Sequence, residues 1–408
     1  MMLDAILNDN LSEQNANKII NNLRGVIGSS RAVKIIFFQE DVNGYLSKGT
    51  LQSLLANISI GLTNIDAIPV RSLSDAANVI DRGDLVFAGN TNVFPAHISE
   101  LAQKARSVVV FDHHSKSEDI TGELKSSGIE NIVYHSPTEL TDDRFPAEEV
   151  LSNFPTGFFI GYLAKASGKL TEQLRLSMGL SLVGEKCESS WPEFLKTIGY
   201  DLQTLRTISE SIDIVLSAGT ENISFIDDFF NSVGSGGQGN FAASLALNLE
   251  SQFKGTVKKI EDTIDSIIKE SRKGKNRYKL KNDEYTNSKS MIVYDASDKT
   301  GGYKILKPVA NKLQGMGQTL LMLERVGERV KISSRGQDGA DLKRLLLTLY
   351  NDIQIGAKHF SQSDMVLPGG HDRSAGGVFY VPGLSYEENK VLFLSKLAHY
   401  LGIKKLKM

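Results

Sequence analysis

The sequence predicts an α/β protein: an N-terminal, mainly parallel sheet with flanking helices, a helical connector, and a smaller C-terminal α/β unit. Three observations predict it. Short apolar runs alternate with amphipathic stretches through the first 190 residues. That pattern implies βαβ units, because parallel strands need a covering helix between them. Helical periodicity with little strand character then fills Phe158 to Leu249. From Ser290 the alternation returns. The expected boundaries are 1–190, 191–285 and 286–408, which suits a chain of 408 residues.

The elements follow in order. Val33 to Phe38 predicts a buried strand, and Leu51 to Ile60 part of a helix. Strands at Ile65 to Val70, Leu85 to Ala88, Val108 to Phe111 and Ile132 to His135 enclose helices at Ser72 to Ile80 and Ile98 to Ala105. Gly234-Ser235-Gly236-Gly237-Gln238-Gly239 predicts a loop or hinge, and it lacks the lysine of a phosphate-binding loop. Thr256 to Lys273 predicts a long amphipathic helix, with Ile260, Ile264, Ile267 and Ile268 on one face. The segment Arg272 to Lys281 holds six cations and no acid. It is either a solvated linker or a phosphate-contacting stretch, in which Lys275 and Arg277 meet phosphates and Tyr278 stacks on a base. The C-terminal unit predicts strands at Met291 to Tyr294, Thr319 to Arg325, Val330 to Ser334 and Val378 to Val381. Helices are expected at Ile305 to Leu313, Asp341 to Ile353 and Glu387 to Tyr400.

Composition excludes several classes. Hydrophobic content of 41% and charged content of 23% describe a globular chain, and a net charge of −2 excludes a polycationic one. A single cysteine, Cys187, excludes an intrachain disulfide and a Cys-rich zinc site. No stretch approaches the roughly 18 apolar residues of a membrane span. Met1-Met2-Leu3-Asp4 does not begin as a secretory signal does. A soluble, cytoplasmic protein without a membrane partner is expected.

Two distant segments carry the chemistry. Phe111-Asp112-His113-His114 follows an apolar run, and Leu367-Pro368-Gly369-Gly370-His371-Asp372-Arg373-Ser374-Ala375-Gly376-Gly377 precedes another. Carboxylate and imidazole at a strand end suit divalent ions such as Mn²⁺ or Mg²⁺. Together, in this order, the two segments resemble the DHH phosphoesterase superfamily with its C-terminal associated domain. Within it, the size and architecture of the chain look most like the archaeal RecJ-like proteins, a group that includes the GINS-associated nuclease.

The resemblance implies metal-ligand motifs that this chain departs from. The first has a histidine and then two aspartates, where Gln39, Asn43 and Tyr45 stand here. The second ends the third strand with an aspartate, where Asn90 stands. The fourth is expected near Leu182 to Lys186, which contains Glu185 but no aspartate. Asn for Asp keeps shape and loses charge, so a pair of divalent ions loses its neutralising anions. Residual ligand candidates are Asp41, Asp112, His113 and His114, though the two histidines also fit a structural role at the sheet edge. His97 and His135 are isolated and read as surface or packing residues. The glycine-rich segment matches the family better. Arg335, Gly369, Gly370, His371 and Arg373 are expected to grip phosphate, with glycine amides forming an anion nest, unless the glycines serve close packing.

The resemblance therefore implies a RecJ-like protein of DNA replication or repair that has lost catalysis and carries no cofactor. It would bind a GINS-like partner and single-stranded nucleic acid. The alternative is an active Mn²⁺- or Mg²⁺-dependent single-strand exonuclease or small-nucleotide phosphodiesterase.

Overall fold

A computed structural model describes residues 3–28, 30–38, 42–59, 61–70, 76–90, 95–168, 170–218, 222–234, 251–282, 284–297, 306–313, 318–336, 339–356, 369–371, 374–381 and 383–403. The chain divides into two compact units, Met1–Gln252 and Phe253–Met408.

The first unit is built on a five-stranded parallel sheet. Its strands are β1 (Ala32–Phe38), β2 (Asn64–Val70), β3 (Leu85–Gly89), β4 (Ser107–Phe111) and β5 (Ile132–His135), in the order β2-β1-β3-β4-β5. β3 is buried along its whole length, and β4 at all but its first residue. Apolar runs without polar alternation are what a sheet covered on both faces requires. One face packs Ile36, Val86, Ala88, Val108, Val110 and Tyr134 against Leu101, Ile120 and Leu124. The last three come from α3 (Pro95–Lys104) and α4 (Ser117–Ser126). The opposite parity meets α2 (Val42–Ile58) and α6 (Thr156–Ser167), through ring contacts of Phe37 with Tyr45 at 6.3 Å and of Phe111 with Phe159 at 6.0 Å.

Before the sheet lies α1 (Asn10–Ile27); after it come α5 (Ala147–Asn153), α6, α7 (Glu172–Gly184), α8 (Pro192–Lys196), α9 (Leu202–Ala218) and α10 (Ile223–Gly234). Glycines let these helices approach closely. A Cβ on Gly89 would lie 2.8 Å from Ser47 Cβ, and one on Gly161 2.4 Å from Met178 Cγ. The glycine-rich run from Ser235 to Gly239 lies outside the described residues, as do Ser72 to Asp75 of the helix expected at Ser72 to Ile80, of which Ala76 and Ala77 are helical.

The second unit opens with α11 (Lys254–Arg272), which buries Ile260 and Ile267 of the expected apolar face together with Thr263, while Ile264 and Ile268 are half-buried. Its six-stranded sheet runs β10-β11-β9-β8-β7-β6. The strands are β6 (Arg277–Lys279), β7 (Ser290–Asp295), β8 (Thr319–Val326), β9 (Arg329–Arg335), β10 (Gly369–His371) and β11 (Ser374–Phe379). Only the β7–β8 pairing is parallel. Helices α12 (Leu306–Leu313), α13 (Leu342–Gly356) and α14 (Tyr386–Tyr400) complete it. Ser385 and Glu388 form a capping box at the start of α14.

Two local expectations change. The basic segment is not all linker, because Arg277–Lys279 pairs with β7. The glycine-rich C-terminal motif is a hairpin: β11 begins at Ser374 and pairs with β9 and β10 on its two sides. Gly376 stands in the ladder, where a Cβ would lie 2.9 Å from the Ile332 carbonyl oxygen. At Gly376 glycine therefore serves close strand packing, while Gly369 and Gly370 lie in β10 at the edge of the sheet. Among the described residues, no helix is long and apolar enough to cross a membrane.

Candidate functional site

The C-terminal ends of β1, β3, β4 and β5 converge, as strand ends do at the ligand crevice of a parallel sheet. Asn90 follows β3, and its backbone N–H donates to the Phe111 carbonyl on β4 (3.0 Å). Asp112 follows β4, and its N–H donates to the His135 carbonyl on β5 (3.1 Å). Asn90 holds φ at 54°, a left-handed conformation that Asn tolerates better than most residues.

Asn43 lies in the first turn of α2 and is fully buried. Its Nδ2 donates to Asn90 Oδ1 (3.1 Å), while its Oδ1 accepts from the Gly157 N–H (3.0 Å) and the Ser181 hydroxyl (2.6 Å). One uncharged amide thus ties together α2, the end of β3, the first turn of α6 and the last turn of α7. The Gly157 N–H is one of the first-turn amides a helix cannot satisfy internally, and Asn43 supplies its acceptor. Room for this exists because residue 157 has no side chain. A Cβ there would stand 2.7 Å from Ser181 Oγ and 3.0 Å from Asn43 Oδ1.

Tyr45, two residues further along α2, is buried and donates its hydroxyl to Asp227 of α10. Lys48 is buried beside it, pairs with the same carboxylate, and lies 4.5 Å from the Tyr45 ring centroid. Burial and the Asp227 carboxylate push the Tyr45 phenol far above its ordinary range, so it stays neutral.

Asp112 is fully buried with both oxygens engaged. Oδ1 accepts from His114 Nδ1 (2.7 Å) and Oδ2 from the Tyr134 hydroxyl (3.1 Å). Burial alone would raise its pKa. The charge and hydrogen bond of His114 outweigh that, with help from Tyr134 and the His113 backbone, and hold the carboxyl below its usual range. His113 is buried, with Nδ1 2.8 Å from Thr156 Oγ1, and the two imidazole centroids lie 4.3 Å apart.

Among the described residues, Asp112, His113 and His114 form one group of potential metal ligands, with ligand atoms within 4.8 Å of one another. The trio is compact enough to hold a single ion. The described residues do not fit a pair of divalent ions: Asn43, Asn90 and Tyr45 are neutral, and the Lys48 ammonium lies close to the Tyr45 ring. Gln39 and Asp41 lie outside the described residues.

The region expected to carry the fourth motif ends α7. Glu185 caps the helix, and Lys186 is exposed with φ at 58°. The residue that reaches the site is Ser181, one turn earlier, which sequence reasoning missed. A faint signal was present: Ser177 and Ser181 recur four residues apart on a helix that is otherwise apolar there, and both are buried. His135 is a packing residue, buried with Nδ1 3.1 Å from Glu139 Oε2 and its ring against Phe111. The His97 side chain lies outside the described residues.

In the second unit, the ladder places His371 opposite Ser374 and Ser374 opposite Arg335. Arg335 is half-buried and donates from Nη1 to the Ser334 carbonyl (2.8 Å). Gly369 and Gly370 form the edge strand β10, and Arg373 lies outside the described residues. Tyr278 packs partly buried against the core of this unit.

No family model and no curated protein matches the sequence. Solved structures do match. The DHH domain of a protein described as belonging to a ribosomal-protein family superposes with a TM-score of 0.64 at 15% identity, covering 97% of this chain and 93% of that one. The chain has the DHH-domain fold. RecJ from Thermus thermophilus, in complex with Mn²⁺, matches with a TM-score of 0.55 at 14% identity over 96% of this chain and 55% of its own. An exonuclease RecJ bound to manganese matches at 0.50 and 14% identity, over 96% of this chain and 94% of that one. In this DHH fold, the Asp112-His113-His114 segment sits at the end of β4, where the sheet gathers its strand termini.

Proposed function

We propose that this chain is a RecJ-like protein of DNA replication or repair that does not cleave its substrate. It works by holding single-stranded nucleic acid and a partner of the GINS type. The observation that carries this reading is the Asn43 amide, buried and bonded to Asn90, Gly157 and Ser181. Two-metal phosphoester hydrolysis needs anionic ligands to gather two cations a few ångströms apart. A filled, neutral hydrogen-bond network offers neither the charge nor the open coordination.

The test is incubation of the purified protein with Mn²⁺ and an end-labelled single-stranded oligonucleotide. The expected outcome is retention of the oligonucleotide without product, with or without Mn²⁺. Product that depends on Mn²⁺ and disappears in Asp112→Asn sinks the proposal. A second reading, a Mn²⁺-dependent exonuclease or small-nucleotide phosphodiesterase, is favoured by the Asp112–His113–His114 trio. A dinucleotide substrate in the same assay addresses it. Capture of a GINS-type protein on the immobilised chain tests the partner.

A further inference from the structure

The second unit carries a cationic strand that the DHH site does not use. β6 is an edge strand, paired only with β7. Arg272, Lys273, Lys275, Arg277, Lys279 and Lys281 are all exposed. Elsewhere in this unit, acids pair with Arg344, Lys390 and Lys396. Glu270, the nearest acid before the run, reaches Ser266 Oγ at 3.5 Å.

Alternation sorts the segment into two faces. Tyr278 packs partly buried against the core of the unit, so its β6 neighbours Arg277 and Lys279 project the other way, and Lys281, just past the strand, is exposed. The two-residue repeat of a strand sets such cations roughly 6.6–6.8 Å apart in a line. Arg277 is positioned by neutral groups. Its Nη2 lies 3.5 Å from Ser290 Oγ, and with the Gln318 amide turned so that its oxygen accepts, that oxygen lies 3.0 and 3.2 Å from Nη2 and Nε. The guanidinium is held in place by partners that carry no charge.

We propose that this face of β6 binds the phosphate backbone of single-stranded nucleic acid by charge alone, without reading bases. This rests on the nucleic-acid reading above and gives it a place and a mode. A row of cations fits a linear polyanion. A peptide or membrane partner would want an apolar anchor. The exposed large hydrophobic residues among those described are Val79, Leu202 and Val391, none of them on β6. With Tyr278 packed against the core, the solvent face of β6 carries cations and no aromatic side chain.

The experiment is fluorescence anisotropy of a labelled oligothymidylate with the full chain, titrated with salt from about 50 to 200 mM. Single-strand binding weakens with a log–log slope of about −0.7 per phosphate contact. Six contacts predict about a 300-fold loss of affinity across that range. The variant Arg277→Gln/Lys279→Gln/Lys281→Gln, checked for an unchanged circular dichroism spectrum, predicts a shallower slope and only about a 20-fold loss. Lys279→Arg/Lys281→Arg should keep the wild-type slope, and oligomers of different sequence should bind alike. An unchanged slope in the glutamine variant overturns the proposal. So does binding of anionic phospholipid vesicles as tight as that of the oligonucleotide. None of these outcomes depends on Mn²⁺ cleavage, so this proposal and the non-cleaving reading fail separately.

Discussion

Asn43 shows how one atom-for-atom change alters what a site can do. An amide in place of a carboxylate keeps the planar shape, gains two donors and loses the charge. Donor and acceptor are used on Asn90, Gly157 and Ser181. Asn43→Asp replaces a donor by an acceptor and buries a charge near the Asp112 strand end. It should cost about 1–3 kcal/mol in urea unfolding, and Mn²⁺ should narrow the gap by pairing the new carboxylate. Equal stability of variant and wild type without metal would count against this network. Asn43 and Asn90 were picked out in the sequence as positions where the resemblance implies aspartate. Ser181 was not, because a serine within an apolar helix carries no local mark of where it points.

At the scale of elements, the β10–β11 hairpin and the α2 helix decide which sequence signals mattered. Gly369, Gly370, Gly376 and Gly377 were visible as a glycine-rich motif. Their role depended on whether they bend into a turn or extend into a ladder, and glycine permits both. Gly376 is in the ladder against β9. Gly376→Val would press a side chain against the Ile332 carbonyl, where a Cβ already meets oxygen at 2.9 Å. Since backbone must move to relieve it, a loss of about 1–3 kcal/mol is expected, read as a lower denaturation midpoint of the C-terminal unit. A variant as stable as wild type would return this glycine to a role in ligand binding. α2 likewise begins earlier than its apolar pattern suggested. The turn Asn43-Gly44-Tyr45 includes polar and small residues, yet it is helical and buried because β3 and α6 pack around it.

For the molecule as a whole, ion pairs pin helix to sheet and set the response to pH. In the second unit Lys390 of α14 meets Asp295 at the end of β7 (2.8 Å), with Ser297 and Tyr386 bonded alongside. Burial would raise the Asp295 pKa, but Lys390 and Ser297 pull it below the ordinary value. Its stabilising effect is therefore complete above the ordinary carboxylate pKa of about 4 and is lost as pH falls through the folded value. Burial would lower the Lys390 pKa, and Asp295 and Glu387 raise it, so that contribution is lost only as pH rises beyond the ordinary lysine value of about 10.4. Asp295→Asn should lower stability at neutral pH and flatten the decline below pH about 4, measured as urea midpoints across a pH series. A decline of unchanged steepness would place the acid sensitivity elsewhere.

The sequence by itself determined the alternation of strands with helices, the parallel character of the first sheet, and the uncharged amides at Asn43 and Asn90. Those properties reside in periodicity and residue type, which are local. Tertiary structure alone decided that Asn43, Asn90, Gly157 and Ser181 meet, that Tyr278 turns inward while its lysine and arginine neighbours face solvent, and that Gly376 packs rather than nests. Each of these is set by strand register and helix docking between residues far apart in the chain, and a hydrogen-bond partner or an exposed face exists only once that packing is complete.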